Sequence, residues 1–253
     1  MSGNDLKGKT ALVTGSSRNL GAAIARELAA RGARLVVTYH RSRSAADALV
    51  AEMRRVTGVQ HLLVGGDVST GAGARAVAEE AVNQSGRIDV LINNTGPFSM
   101  DPFATLVEEE WDRILDANLK AAYLCSQVVV PGMRQAGWGR IVNVSAGSAY
   151  IRNHSVYSLA KAALVTLTEE LALELGPEIT VNAIAPGQIA ESAADIAEFD
   201  PTFVERSIEW TPLKRLVTRL EVATIVAELC GPRFAMVTGA TIPIDGGWRL
   251  SRF

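Results

Sequence analysis

A chain of 253 residues with 48% hydrophobic and 21% charged residues can build one large α/β domain or two small ones around a sizeable core. A formal charge of -2 leaves no basic excess for a nucleic-acid surface, so DNA and RNA are not expected as partners. The polar start MSGNDLKGKT lacks a signal-peptide core, and the apolar runs Ala11–Thr14 and Leu35–Thr38 are too short to cross a bilayer. No membrane partner is expected. Cys125 and Cys230, without CxxC spacing or a nearby His cluster, read as reduced core thiols of a cytoplasmic protein, so no metal site is expected.

In chain order, Lys9–Thr14 reads as a strand and Leu20–Arg31 as a helix. Arg34–Tyr39 is a second strand, followed by a helix over Ser44–Val56. Gln60–Val64, Ile88–Asn93, Arg140–Ser145, Ile179–Ile184 and Thr241–Ile244 continue the strand series. Helical patterns at Gly73–Gln84, Glu109–Gln135, Val156–Leu175 and Arg219–Leu229 fill the gaps. The strands are continuous apolar runs rather than strict alternations, as strands covered on both faces require. Repeated β-α units predict a single Rossmann-type domain over residues 1–253, a doubly wound parallel sheet of about seven strands flanked by helices. The interval from Gln188 to Pro212 breaks the rhythm: it has no strand, and it carries Phe199, Phe203, Ile208 and Trp210. A long insertion beside a binding edge is expected to be a substrate loop or lid.

The first strand runs straight into Thr14-Gly15-Ser16-Ser17-Arg18-Asn19-Leu20-Gly21 and then a helix. Such a turn aims backbone N–H groups and a helix N-terminus at an anion, typically pyrophosphate. At the end of the second strand, an NAD site usually offers a carboxylate to the adenosine ribose. Here the chain offers His40, Arg41, Ser42 and Arg43, with Arg18 within reach. Cations and a hydroxyl suit a 2′-phosphate, so NADP(H) is the expected cofactor.

Tyr157 and Lys161 stand four apart in a helical pattern and share a face. An ammonium beside the phenol, with an oxidised nicotinamide, is expected to lower the tyrosine pKa and let it exchange a proton with a substrate oxygen. Ser145 closes a strand at the carboxyl edge, twelve residues before Tyr157, where its hydroxyl is expected to bond the same oxygen.

With these motifs in order, the chain resembles the short-chain dehydrogenase/reductase family along nearly its whole length. Thr14–Gly21 resembles the family's TGxxxGxG loop, and Asn93-Asn94-Thr95-Gly96 its NNAG motif. Asn118, Ser145, Tyr157 and Lys161 match its asparagine, serine, tyrosine and lysine, and Pro186-Gly187 its PG motif. The resemblance implies that Tyr157 is the proton donor or acceptor, that Ser145 polarises the carbonyl and that Lys161 holds the nicotinamide ribose. It implies that Asn118 supports a relay water through its backbone. The cofactor would lie along Gly15, Ser17, Arg18, Asn19, Leu20 and Gly21. Asp67 and Val68 would hold the adenine, Asn94, Thr95 and Gly96 would line the adenosine ribose, and Pro186, Gly187 and Ile189 would lie near the carboxamide. It also implies a homotetramer, or a homodimer, packed through the helices at Glu109–Gln135 and Val156–Leu175.

Three positions depart from the family pattern. Asn19 replaces a loop glycine, a position where Asn tolerates left-handed backbone. Thr95 replaces an alanine, and Glu191-Ser192 stands where a threonine often follows PG. The tail Val237–Gly247 resembles 3-oxoacyl-[acyl-carrier-protein] reductases, whereas Tyr39–Ser42 resembles pteridine reductases, which tend to carry Asp at the position of Ser145. A ketone, such as a 3-oxoacyl thioester, is the expected substrate. Pteridine, sugar or polyol chemistry is the alternative, and a non-catalytic dinucleotide sensor the rival class. Enoyl reductases of this superfamily space the tyrosine and lysine more widely, which counts against double-bond reduction. Phe98, Met100, Tyr150, His154, Phe199 and Phe203 are the candidate substrate contacts, in segments whose apolar character suits an acyl chain.

Overall fold

The computed structural model describes residues 4–151, 155–198 and 200–250. Seven strands, all parallel, form one sheet in the order β3-β2-β1-β4-β5-β6-β7. They are β1 (Thr10–Val13), β2 (Arg34–Tyr39), β3 (Leu62–Gly65), β4 (Val90–Asn93), β5 (Gly139–Val144), β6 (Ile179–Pro186) and β7 (Thr241–Ile244). The helices are α1 (Asn19–Ala30), α2 (Arg43–Thr57), α3 (Gly71–Ser85), α4 (Glu108–Leu115), α5 (Ala121–Gln135), α6 (Val156–Leu175), α7 (Ala193–Ala197), α8 (Phe203–Trp210) and α9 (Arg219–Cys230).

The two-sided apolar strands follow from period-two alternation into two separate cores. Ala11, Val13, Leu35, Val37, Val90 and Ile92 face a cluster with Ile24 of α1, Met53 of α2 and Val226 of α9. Leu12, Val36, Leu91 and Ile141 face the opposite cluster, with Val77 of α3, Val129 of α5 and Leu175 of α6. Helices therefore cover both faces, as right-handed β-α-β crossovers demand. The strand order reverses between β1 and β4, and the crevice at that switch point is where such sheets bind ligands. Cys125 and Cys230 are buried, unpaired thiols, each pushed up to about 12 by burial.

Two features go beyond the expectation. The helix expected over Glu109–Gln135 runs on without a break, but a π turn at Asp116–Lys120 separates α4 from α5, where the Ala121 N–H reaches back five residues to the Asp116 carbonyl. The inserted residue turns the apolar stripe by about 100°, an offset that a pattern read as one helix absorbs as a wider stripe. The Gln188–Pro212 insertion has no strand, but its base is pinned. Ile189 makes a parallel bridge with Val217, and the Ala190 N–H donates to the Val217 carbonyl at 2.8 Å. The Glu191 carboxylate accepts the Arg219 N–H at 3.1 Å at the start of α9, so Glu191 serves the loop base. No helix among the described residues is long and apolar enough to cross a membrane.

Candidate active site

The loop after β1 is stitched to its neighbours by small hydroxyls. Ser16 Oγ donates to the Val13 carbonyl at 2.7 Å and accepts the Thr38 N–H at 2.8 Å. Thr38 Oγ1 accepts the Gly15 N–H at 2.8 Å. Thr14 Oγ1 accepts the N–H groups of Asn94 and Thr95 at 2.9 and 3.1 Å, tying the end of β1 to the end of β4. Sequence reasoning missed Thr14, Ser16 and Thr38. Hydroxyls at strand ends are common, and only their partners show that they carry the loop.

The residues present fit a dinucleotide. Gly15 has φ +62°, and Asn19 occupies the left-handed region at φ +52°, as expected of the asparagine that replaces glycine. A Cβ on Gly21 would lie 2.4 Å from the Gly15 carbonyl oxygen, so only glycine allows this approach of loop to helix. The helices α3, α6 and α9 are capped by the side chains of Thr70, Ser155 and Thr218. By contrast, α1 and α2 begin at Arg18 and Ser42 with no side-chain cap and no acid in the first turn. Their first N–H groups and positive dipole ends remain available to an anion at the two places where pyrophosphate and 2′-phosphate are expected.

His40 Nδ1 lies 3.7 Å from Asp67 Oδ1, so the ends of β2 and β3 meet. Bonds from the Ser69 side chain, then its backbone, with the charges of His40 and Arg41, hold the Asp67 carboxyl below its ordinary range. Arg43 packs over the Tyr39 ring at 5.6 Å and donates to its hydroxyl at 3.1 Å. Leu20 and Ser17 are half-buried in the loop. A groove of about 490 Å³ runs beside it, lined by Ser17, Arg18, Asn19, Arg26, Glu191 and Arg219. Two residues expected at the cofactor also serve the fold. The Val68 side chain is buried in the core under α3. Asn94 spends its amide on the carbonyls of Thr14 and Gly15, at 2.9 and 3.4 Å, bracing the loop. Pro186 closes β6 opposite Ile244, and a Cβ on Gly187 would come within 2.9 Å of Asp245.

Tyr157 and Lys161 lie on the first two turns of α6, with Lys161 Nζ 5.6 Å from the tyrosine ring centroid. Lys161 is buried, and its ammonium donates to the Val144 carbonyl at 2.8 Å. Ser145 Oγ donates to the Lys161 carbonyl at 2.9 Å. Two reciprocal bonds thus dock the helix onto the end of β5. The serine proton was expected to face a substrate oxygen; here it rests on a helix carbonyl. Redirecting it exchanges one neutral hydrogen bond, a cost of about 1 kcal/mol. Phe98 packs edge-on against Tyr157, ring centroids 5.0 Å apart at 74°.

The expected lowering of the tyrosine pKa involves a bound oxidised nicotinamide; in the protein alone, burial acts in the other direction. Burial pushes the Tyr157 phenol up to about 12 and the Lys161 ammonium down to about 7. Desolvation penalises whichever form is charged, and it is the cause of both shifts. Lys161 ordinarily titrates near 10.5, so between pH 7 and that value the unfolded chain binds more protons than the folded one. Stability is then lost as pH falls through this window. In urea melts from pH 10 to pH 7, Lys161→Met should be spared a loss on the order of a few kcal/mol that the parent protein suffers. Parallel losses in both proteins would contradict the burial argument.

Asn118 sits in the π turn, buried, where its Nδ2 donates to the carbonyls of Ile114 and Pro97, both at 3.0 Å. Its side chain therefore clamps the turn to the loop after β4, a role beyond the backbone one expected. A Cβ on Gly96 would fall 2.1 Å from Asn118 Oδ1 and 3.1 Å from Lys161 Nζ, so Gly96 is the contact that brings the two together. Among candidate substrate residues, Phe98 and Tyr150 are exposed and Phe203 is half-buried at the start of α8. Arg249 packs over the Tyr150 ring at 5.2 Å. His154 and Phe199 lie outside the described residues.

A parallel sheet with a glycine turn after β1 and a Tyr-Lys pair at its carboxyl edge defines a dinucleotide-binding oxidoreductase class. Residues 15–249 match the family model described as enoyl-(acyl carrier protein) reductase. A 3-oxoacyl-[acyl-carrier-protein] reductase from Staphylococcus epidermidis is 35% identical, over 94% of this chain and 98% of its own length. Among solved structures, an acetoin dehydrogenase from Enterobacter cloacae is 35% identical with a TM-score of 0.86, covering 96% of both chains. A gluconate 5-dehydrogenase from Burkholderia cenocepacia, in complex with NADP and tartrate, is 27% identical with a TM-score of 0.90, covering 98% of both. The chain belongs to the short-chain dehydrogenase/reductase family, whose members are oxidoreductases that bind a nicotinamide dinucleotide.

Proposed function

We propose that this protein is an NADP(H)-dependent reductase that converts a ketone, with a 3-oxoacyl thioester as the best fit, into a secondary alcohol. One observation carries the reading: Tyr157, Lys161 and Ser145 converge at the carboxyl end of β5, knit by the Lys161–Val144 and Ser145–Lys161 bonds. The reduced dinucleotide, when bound, supplies a hydride. Tyr157 gives its proton to the substrate oxygen. A phenol held protonated by its surroundings is suited to that acid role, because it reaches the reaction with its proton in place. Ser145 turns its hydroxyl from the helix carbonyl toward the same oxygen and stabilises the developing negative charge. Lys161 and Asn118 hold the ribose side of the cleft and fix the position of the phenol.

The preference for NADP(H) is supported by His40, Arg41, Ser42 and Arg43 around the uncapped start of α2. Phe98, Met100, Tyr150 and Phe203 give the mouth an apolar character that suits an acyl chain. The likeness to a gluconate 5-dehydrogenase favours a sugar acid or polyol as the second reading. We place the enzyme in the cytoplasm as a homotetramer or homodimer, with Trp111, Tyr123, Leu159 and Leu173 as the exposed apolar contacts. The test follows the nicotinamide absorbance of NADPH with an acetoacetyl thioester, a crotonyl thioester, a keto-gluconate and a dihydropteridine. Fastest turnover on the acetoacetyl thioester supports the proposal. Preference for the crotonyl compound, or tight NADPH binding without turnover on any of them, overturns it.

A further inference from the structure

Beneath the loop that joins β4 to the π turn lies a cavity of about 10 Å³, bounded by Thr14, Asn93, Thr95, Asn118 and Cys125 with alanines of α5. That volume matches one water-sized sphere. Three of the lining side chains hold a buried polar atom with no protein partner: Asn93 Oδ1, Thr95 Oγ1 and Asn118 Oδ1.

Neighbouring bonds determine what each atom offers. Asn118 Nδ2 donates to two carbonyls, and Asn93 Nδ2 donates to Asn143 Oδ1 at 2.8 Å, so in both residues the unused atom is the acceptor oxygen. Neither amide can flip without facing oxygen against oxygen. The third atom is a hydroxyl, which donates or accepts. Thr14 contributes nothing more, since its hydroxyl already donates to the Ile92 carbonyl and accepts two N–H groups. The occupant must donate to both amide oxygens and either accept from or donate to the hydroxyl, within a single-atom volume.

We propose that this cavity is a binding site for one internal water, which donates to Asn93 and Asn118 and accepts from Thr95. A hard divalent cation takes about six oxygens, and three are on offer. The water joins the nucleotide-side loop to the π turn, so that Thr95, Asn118 and Gly96 keep one register beside Lys161. Thr95 is the determining residue, because the alanine of the resembled NNAG motif would leave two acceptors and no donor facing the water. Asn93 and Thr95 are positioning residues in this account.

A high-resolution crystal structure of the protein tests the site directly. The expected result is a peak about 2.6–3.2 Å from each of the three atoms. An empty cavity, or a peak at cation distances of about 2.0–2.6 Å, overturns the proposal. Thr95→Val, equal in shape but without the hydroxyl, gives a second reading in solution. Water-to-amide Overhauser transfer at residues 95 and 118 is expected in the parent and lost or sharply weakened in a variant whose remaining amide spectrum shows the same fold. An undiminished signal in the variant removes Thr95 from the site. These measurements need no substrate, so a failure of the ketone-reductase reading leaves them intact.

Discussion

Tyr157→Phe is expected to lower kcat/KM for a 3-oxoacyl thioester by about three orders of magnitude while leaving NADPH affinity within about two-fold. The substitution removes one oxygen and keeps the ring. The edge-on packing with Phe98 and the placement beside Lys161 therefore survive. What disappears is the proton that must reach the substrate oxygen as hydride arrives, an interaction made only in the transition state. Such a loss falls on kcat rather than on KM. Steady-state rates, with NADPH binding followed by fluorescence, separate the two quantities. A variant that turns over as fast as the parent would sink the acid assignment.

Arg41→Asp should shift the ratio of specificity constants for NADPH over NADH by about 100-fold toward NADH. Two effects act in the same direction. A charge-assisted bond to the 2′-phosphate is removed, and a carboxylate is introduced that repels that phosphate yet accepts bonds from a ribose hydroxyl. Together these correspond to about 3 kcal/mol, of which only part is screened by salt because the uncapped start of α2 faces the same point. Asp67 moderates the change, since its carboxylate already sits 3.7 Å from His40. Competition between the two cofactors at fixed substrate measures the effect. An unchanged ratio would transfer the phosphate role away from Arg41.

The active-site reading depends on contacts of very different legibility. Tyr157 and Lys161 are four apart on one helix, and helical geometry alone makes them neighbours. Asn118 was legible as a position, but its π turn and its clamp on Pro97 were not. An i→i+5 bond depends on what the side chain does with the Ile114 carbonyl, and local sequence does not encode that competition. The same holds for Glu191, whose partner at Arg219 is 28 residues away across the insertion. Burial pushes the Tyr157 phenol up in the protein without a dinucleotide, and spacing, which reports charge proximity, says nothing of that desolvation.

From the chain alone come the strand series, the helices outside the Gln188–Pro212 interval, the doubly wound topology, the glycine turn and the identity of the chemical groups. All of these depend on interactions within a few residues or on short periodic patterns. Tertiary structure alone decided which hydroxyls brace the nucleotide loop, where the Ser145 proton rests, and how burial divides protons between Tyr157 and Lys161. Those outcomes arise from distances and solvent exclusion between segments remote in sequence, and no local pattern records either.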